Sequence, residues 1–309
     1  MLTSLVGFSP APSGAEAITL VAPSDSGIYR EFAASFERGL QALCGQRRDL
    51  EICRRDEPVA FVTIGDGAAA RAAGNGDLLI PLGSVATQYL ADQPELGPTL
   101  FTLIPADTYQ RLQACCLGAD DHPVSAVFVD QPVDQQLRLT RALLPSARRV
   151  GVLLGPTSGQ HAGEIRISAE RLGLEIRMEV ISDPQAIGVA LRQILRGVDA
   201  LLAVPDPMVF NSATVANILL ASYRHGLPVI GYSEALMRSG AAAAVFADVD
   251  QLAETTALKV LAYFESRELP PPGFARDFSI GVNREVLRSL GLQAPAEDRL
   301  KRILSEGLP

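Results

Sequence analysis

Short apolar runs and amphipathic helical patterns alternate along this chain almost without interruption, and near residue 124 the alternation starts afresh. Strand-length runs separated by helices are the signature of βαβ units, because parallel strands can be joined only by long crossovers. Ile18–Pro23 reads as a first strand and Tyr29–Leu43 as an amphipathic helix. Leu50–Arg54, Ala60–Ile64, Asp77–Leu82 and Thr99–Ile104 read as further strands, with helices around Ala68–Ala73, Val85–Ala91 and Tyr109–Cys115. These elements suffice for one doubly wound sheet.

The second set has strands at Val124–Val129, Val150–Leu154, Glu175–Ile181, Ala200–Val204, Pro228–Gly231 and Ala242–Phe246. Helices at Val133–Leu144, Gly163–Leu172, Pro184–Arg196, Asn211–His225 and Glu234–Ser239 separate them. Asp250–Arg267 then carries apolar residues at helical spacing and ends in the stiff stretch Leu269-Pro270-Pro271-Pro272-Gly273. Phe278–Val282 is a last strand and Arg284–Gly291 a terminal helix stopped by glycine. The expected fold is α/β: two doubly wound Rossmann-like lobes joined by a hinge. Its three crossings fall near Phe128–Gln131, Phe246–Asp248 and Pro270–Arg276. Lobe 1 takes residues 18–128 and 248–272, lobe 2 takes 129–247 and 273–309, and 1–17 is a candidate signal remnant. No internal repeat is visible at the level of residues.

Composition narrows the partners. A net charge of −8 opposes a nucleic-acid partner, which needs a clustered basic face. No run approaches the roughly 20 apolar residues of a membrane-spanning helix. Leu2–Phe8 is weakly apolar and Ala15-Glu16-Ala17 has the small-x-small pattern of a signal-peptidase site, although a basic segment before them is missing. Export to the periplasm is the expectation, with an atypical signal. Cys44 and Cys53 could meet in a disulfide or stay as buried thiols, whereas Cys115 and Cys116 are too close for an ordinary bridge.

Three motifs of chemistry fail on spacing. Gly65-Asp66-Gly67-Ala68-Ala69-Ala70 mimics a dinucleotide-binding turn, but the next strand ends in Gly83-Ser84, with no acid there to hold a ribose. An NAD(P)-dependent enzyme on a Rossmann-like fold is therefore only the rival reading. Gly231-Tyr232-Ser233-Glu234-Ala235 mimics a nucleophile elbow, yet His122, His161 and His225 all precede the serine, the wrong order for that triad. The three isolated histidines lack metal-ligand spacing and read as surface or helix-end residues, and Asp120–Asp121 as turn chemistry. The expectation is no catalysis, no cofactor and no metal.

What remains are polar residues at the carboxyl ends of strands, where open α/β sheets bind ligands. Lobe 1 offers Ser24, Ser26, Asp66 and Ser84; lobe 2 offers Asp130, Ser158, Asp206, Phe210, Asn211, Tyr232 and Ser233. Asp206 and Asp130 would meet a cationic or donor group, Ser24, Ser84, Ser158 and Ser233 would offer hydroxyls, and Phe210 and Tyr232 would stack. Several of these serines, and Asn211, also stand where a helix cap would.

Three stretches carry a family resemblance: Asp77-Leu78-Leu79-Ile80-Pro81-Leu82-Gly83-Ser84, Val127-Phe128-Val129-Asp130-Gln131-Pro132, and Arg149-Val150-Gly151-Val152-Leu153-Leu154-Gly155-Pro156. With Asp206-Pro207, Phe210-Asn211, Pro228-Val229-Ile230-Gly231-Tyr232-Ser233 and Val282-Asn283, their order and spacing resemble the ABC transporter substrate-binding family that includes tryptophan- and tyrosine-type binding proteins. The resemblance implies a type I periplasmic-binding-protein fold that holds a small, amino-acid-like or aromatic solute in an interlobe cleft. Hinge closure at the three crossings, a monomer, and an ABC permease or receptor as partner are the further expectations. A ligand-sensing subunit without its own permease is the alternative within the same fold.

Overall fold

The computed structural model describes residues 17–55, 59–65, 67–73, 78–93, 96–116 and 123–306. The candidate signal remnant up to residue 16, Asp66, Asp77, Asp120, Asp121 and His122 lie outside the described residues. The chain divides into two compact units. The first comprises the chain up to Ile104, Thr108–Val127 and Leu252–Gly273; the second comprises Pro105–Asp107, Phe128–Gln251 and everything from Phe274.

The first stretch runs β1 (Ile18–Ala22), α1 (Ile28–Cys44), β2 (Val59–Thr63), α2 (Ala68–Ala73), β3 (Leu78–Pro81), α3 (Gly83–Ala91), β4 (Thr99–Ile104), α4 (Ala106–Cys115) and β5 (Val124–Phe128). It continues through α5 (Val133–Leu143), β6 (Arg149–Leu154), α6 (Ala162–Arg171), β7 (Glu175–Val180), α7 (Ile187–Ile194), β8 (Ala200–Leu202), α8 (Val215–Arg224), β9 (Val229–Gly231), α9 (Glu234–Arg238) and β10 (Ala243–Phe246). The closing elements are α10 (Val249–Ser266), β11 (Gly273–Phe274), β12 (Ser279–Val282), α11 (Arg284–Ser289) and α12 (Glu297–Glu306).

Across the first sheet the strands lie in the order β11-β5-β4-β3-β1-β2, and across the second β12-β10-β9-β8-β6-β7. The two orders are the same once the strands of each unit are numbered from its start. The repeat that the residues conceal is therefore present as topology. β1 pairs in parallel with both β2 and β3, and β6 with both β7 and β8, while β12 pairs antiparallel with β10. Strands covered on both faces need continuous apolar runs, and all five residues of β1 and all four of β3 are buried. At the edge, β7 instead alternates, with Glu175 and the neighbouring Arg177 turned out, which blunts an open strand edge.

In the first unit Phe32 and Phe36, one helical turn apart on α1, stack at 6.2 Å within a core that includes Leu20, Ile80 and Phe101. α10 follows β10 in the chain but buries Leu252, Ala253, Ala257 and Val260 in that first unit, which accounts for the change of unit after Gln251.

Four expectations need correction. Val124–Phe128, read as opening the second set of strands, is β5 of the first sheet, beside β4. Leu50–Arg54 is not a strand: Glu51–Arg54 forms a 3₁₀ turn in which only Ile52 is fully buried, too little apolar surface for a strand covered on both faces. Its Cys53 is bonded to Cys44 at the end of α1. Cys115 and Cys116 are also bonded to each other, closing a ring that holds no further residue. Finally, α11 is not the last helix. α12 follows it and buries Leu300 and Leu304 in the core of the second unit.

Candidate functional site

A doubly wound sheet splits open at the carboxyl ends of its strands where the strand order reverses. Here those points lie between β1 and β3 and between β6 and β8. In the first unit, Ser24 and Ser26 follow β1, exposed, with hydroxyls 3.3 Å apart. Opposite stands Gly83 with φ +82, where a Cβ would touch the Tyr29 ring at 3.4 Å, so a residue without a side chain turns the chain into α3. Ser84 follows it and is exposed. So are the apolar side chains that follow these serines in the chain, Ile28 (47%) and Val85 (59%).

The second unit treats the equivalent point differently. Asp206, only 2% exposed, turns its carboxylate back into the loops. One oxygen accepts from the Thr157 and Ser158 amides at 3.1 and 2.9 Å and from the Ser158 hydroxyl at 2.9 Å. The other accepts from the Met208 and Val209 amides at 2.9 and 3.3 Å. A Cβ on Gly155 would lie 2.3 Å from that second oxygen, so glycine is required for the carboxylate to enter. The loop after β6 and the loop after β8 are stapled together by one side chain. Ser158, fully buried, belongs to the staple.

Asn211 and Ser233 are similarly engaged. The Asn211 amide nitrogen donates to the Pro207 and Met208 carbonyls and its oxygen accepts from the Ala213 amide. Ser233 caps α9 by accepting from the Leu236 amide at 3.2 Å. Phe210 and Tyr232 meet edge to face at 6.2 Å. Burial, with Asp206 nearby, raises the Tyr232 phenol above its ordinary range and keeps it a neutral donor.

Asp130 sits in a different cluster. At the end of β4, Leu103 takes a left-handed backbone (φ 56), costly for a residue with a side chain, and the chain then leaves the first unit for Pro105–Asp107. The Ala106 amide donates to Asp130 at 3.0 Å. Asp107, 8% exposed, pairs with the His161 ring at 2.5 Å and accepts from Gln160 at 3.2 Å. Glu164 lies 3.6 Å from the other ring nitrogen. Burial pushes the Asp130 carboxyl up to about 6, with the Asp107 charge adding to the rise. The bond to Asp107 raises His161 above its usual value, favouring imidazolium. Next in the chain, Gln131 is 7% exposed and its amide nitrogen has no hydrogen-bond partner among the described residues. His161 thus stands against the buried Asp107 and the half-buried Asp130, with Glu164 at the rim.

Asp107, Gln160, His161 and Gln131 escaped the sequence reading. Pro105-Ala106-Asp107 directly follows a strand, so the rule that found Asp206 would have found Asp107 as well. His161 carries no such mark, because its role depends on a partner far away in the chain. Of two cavities, of about 530 and 730 Å³, the second is lined by Glu164 together with Asp134 and Arg138, and the first by none of these residues. The first, beside Leu40, Ile52 and Val59, is at the amino-terminal end of the first sheet, away from the edge where strand ends and helix starts offer free polar groups.

Two doubly wound units with polar groups gathered at the strand ends define a protein built to hold a small molecule, of the type I periplasmic-binding-protein architecture. More particularly, the model of the family described as ABC transporter substrate binding protein matches residues 71–302, and the chain belongs to that family. A tyrosine-binding protein of Clostridioides difficile (strain R20291) is 21% identical over 179 residues, 56% of this chain; the match spans about half of that relative (51%). The ligand-free, open structure of a substrate binding protein with adhesive properties from Clostridium difficile has a TM-score of 0.70 at 16% identity, covering 92% of this chain and 97% of that one. A structure from Streptococcus pneumonia, an ABC domain in complex with L-Trp, has a TM-score of 0.57 at 18% identity, covering 90% and 96%. At these identities the structures speak for the fold. Among the described residues no helix is long and apolar enough to cross a membrane, and no group of three or more metal-ligating side chains occurs.

Proposed function

We propose that the chain is the solute-binding component of an ABC-type uptake system and takes a small molecule with a cationic group and an apolar or aromatic body. The observation that carries this reading is the pair of carboxylates that follow β4 and β5 of the first sheet, Asp107 buried and Asp130 half-buried. Asp107 and Asp130 face a single local cation, His161, and buried charge is tolerated when something of opposite sign completes it. An ammonium group from the solute would do so. Gln131 offers an amide to an acceptor on the same solute, and Tyr232 with Phe210 offers an aromatic surface. The tyrosine-binding relative and the structure with L-Trp support an amino-acid-like class of solute.

Within this proposal Asp206, Ser158 and Asn211 position loops rather than touch solute. Ser24, Ser26 and Ser84 remain proposed hydroxyl contacts, and Ser233 a helix cap. Asp66 stays a proposal from the sequence alone. Closure on the solute, a monomeric state, export to the periplasm and delivery to a permease or receptor complete the reading. Titration calorimetry with tyrosine, tryptophan and their deaminated analogues tests it. The amine-bearing compounds should bind, with Asp130→Asn weakening them at least tenfold in a protein that stays folded. Equal affinity for the deaminated analogues, or for the Asp130→Asn protein, would refute it.

A further inference from the structure

Neither the strand ends nor the proposed solute site uses the cysteines, and the two bonded pairs are of opposite kinds. Cys44–Cys53 ties the end of α1 to the 3₁₀ turn that follows it, and both residues are half-buried against the cavity of the first unit. Cys115 and Cys116 are neighbours in the chain, bonded to each other at the last turn of α4, and both are exposed. A disulfide stabilises a fold mainly by shortening the loop it closes in the unfolded chain, and the Cys115–Cys116 bond closes no loop beyond the peptide bond already present. Backbone hydrogen bonding, such as the Cys116 amide to the Leu112 carbonyl at 2.9 Å, holds this end of α4 without the bond. The oxidation state of this pair is therefore uncoupled from folding, and its sulfurs are open to attack from solution, the situation in which disulfides are labile.

We propose that Cys115–Cys116 is a redox-exchangeable site, reduced by an external dithiol to a vicinal dithiol that chelates thiophilic metalloids or soft metal ions. In the reduction, one thiolate of the external dithiol attacks a sulfur of the pair and breaks the S–S bond through a mixed disulfide. Its second thiol then closes to release the reagent as a cyclic disulfide. Two electrons and two protons pass to Cys115 and Cys116. The two thiols, fixed side by side by the chain, condense with a trivalent arsenic oxide: two As–S bonds form, the As–O bond breaks, and one water leaves carrying both thiol protons. Neighbouring thiolates in the sequence supply two of the soft ligands such ions prefer.

The test uses the full chain, native, with graded dithiothreitol, followed by iodoacetamide and peptide mass spectrometry. Cys115 and Cys116 should be alkylated together at reductant concentrations at least tenfold below those that open Cys44–Cys53, with the circular-dichroism melt unchanged. Phenylarsine oxide should then add once to the reduced protein, and the adduct should vanish in the Cys115→Ser/Cys116→Ser double variant while surviving in Cys44→Ser/Cys53→Ser. Alkylation of Cys115 and Cys116 before any reductant, simultaneous opening of both pairs, or an arsenical adduct that persists in the first double variant would each overturn the proposal. Solute binding is not involved, so the result is independent of the function proposed above.

Discussion

The two units wind their strands in one order yet furnish the point of reversal in opposite ways. In the first, the strand ends carry exposed hydroxyls from Ser24, Ser26 and Ser84 beside exposed Ile28 and Val85. In the second, the same place is filled by Asp206, whose two oxygens take five internal donors. A further polar cluster, Asp130 with the Asp107–His161 pair, lies where the chain leaves β4 and β5 rather than at this point. One topology thus supports an edge with free groups and an edge whose groups are consumed. A ligand site cannot be read from the switch point alone; the unspent donors and acceptors there decide.

The largest effect should come from emptying the filled edge. Asp206→Ala leaves five donors without their acceptor, three of them on the buried Ser158 and Val209, and unmet buried donors cost about 1–3 kcal/mol each before water and relaxation recover part. A net loss of about 3–5 kcal/mol is expected in urea denaturation followed by circular dichroism. Gly155→Ala, which drives a methyl into the carboxylate, should destabilise comparably. A loss below about 1 kcal/mol in both would mean that the staple is not what holds this edge, and the contrast between units would fail.

Asp206 also shows how far the sequence reaches. An aspartate directly after a strand looks the same whether it greets a solute or closes a loop. What separates the two is Gly155, whose missing Cβ admits the carboxylate, and that contact joins distant parts of the chain. The α/β class and the strands of both sheets follow from apolar runs of strand length between helical periodicities, because buried parallel strands tolerate little else. Leu50–Arg54 misleads since a single Ile52 among charges imitates a short strand. α12 was legible in Leu300, Ile303 and Leu304, spaced for one helical face, but stood beyond a glycine that reads as an end. The Asp107–His161 pair joins residues 54 positions apart, and nothing local in the sequence marks such a contact.

Titration sharpens the comparison next, since the cluster of ionisable groups belongs to the second unit. Asp130 ionises near 3.8 when unfolded and near 6 when folded. Between those values the folded chain keeps a proton that the unfolded chain has released, so stability falls as pH rises through this window. The shift from 3.8 to about 6 is about 2 pH units, which at about 1.4 kcal/mol each gives up to about 3 kcal/mol, fully lost above pH 6. His161 acts in the same direction: its raised value gives stability present below about 6.5 and lost as pH climbs through the folded value. Asp130→Asn keeps an oxygen for the Ala106 amide and should flatten the decline between pH 4 and 6. The His161 part above pH 6.5 should remain. Denaturant midpoints measured from pH 4 to 8 check this, and an unchanged slope below pH 6 would place Asp130 in water rather than in a buried cluster.

The smallest effect is expected at the open edge of the first unit, and it is informative because it is small. Ser84 is exposed and no hydrogen bond of its hydroxyl is seen among the described residues, so Ser84→Ala removes a group that the fold does not use. Stability should change by less than about 0.5 kcal/mol, the usual range for a surface position without a special role. If the hydroxyl meets solute, affinity should drop severalfold, because one hydrogen bond is worth about 1 kcal/mol and tenfold in affinity takes about 1.4. Asp206→Ala would instead lower stability first and affinity only through it. Two variants at equivalent points of one topology would then separate a group kept for a ligand from a group kept for the fold. Ser84→Ala lowering the denaturation midpoint while leaving solute affinity untouched would reverse that assignment.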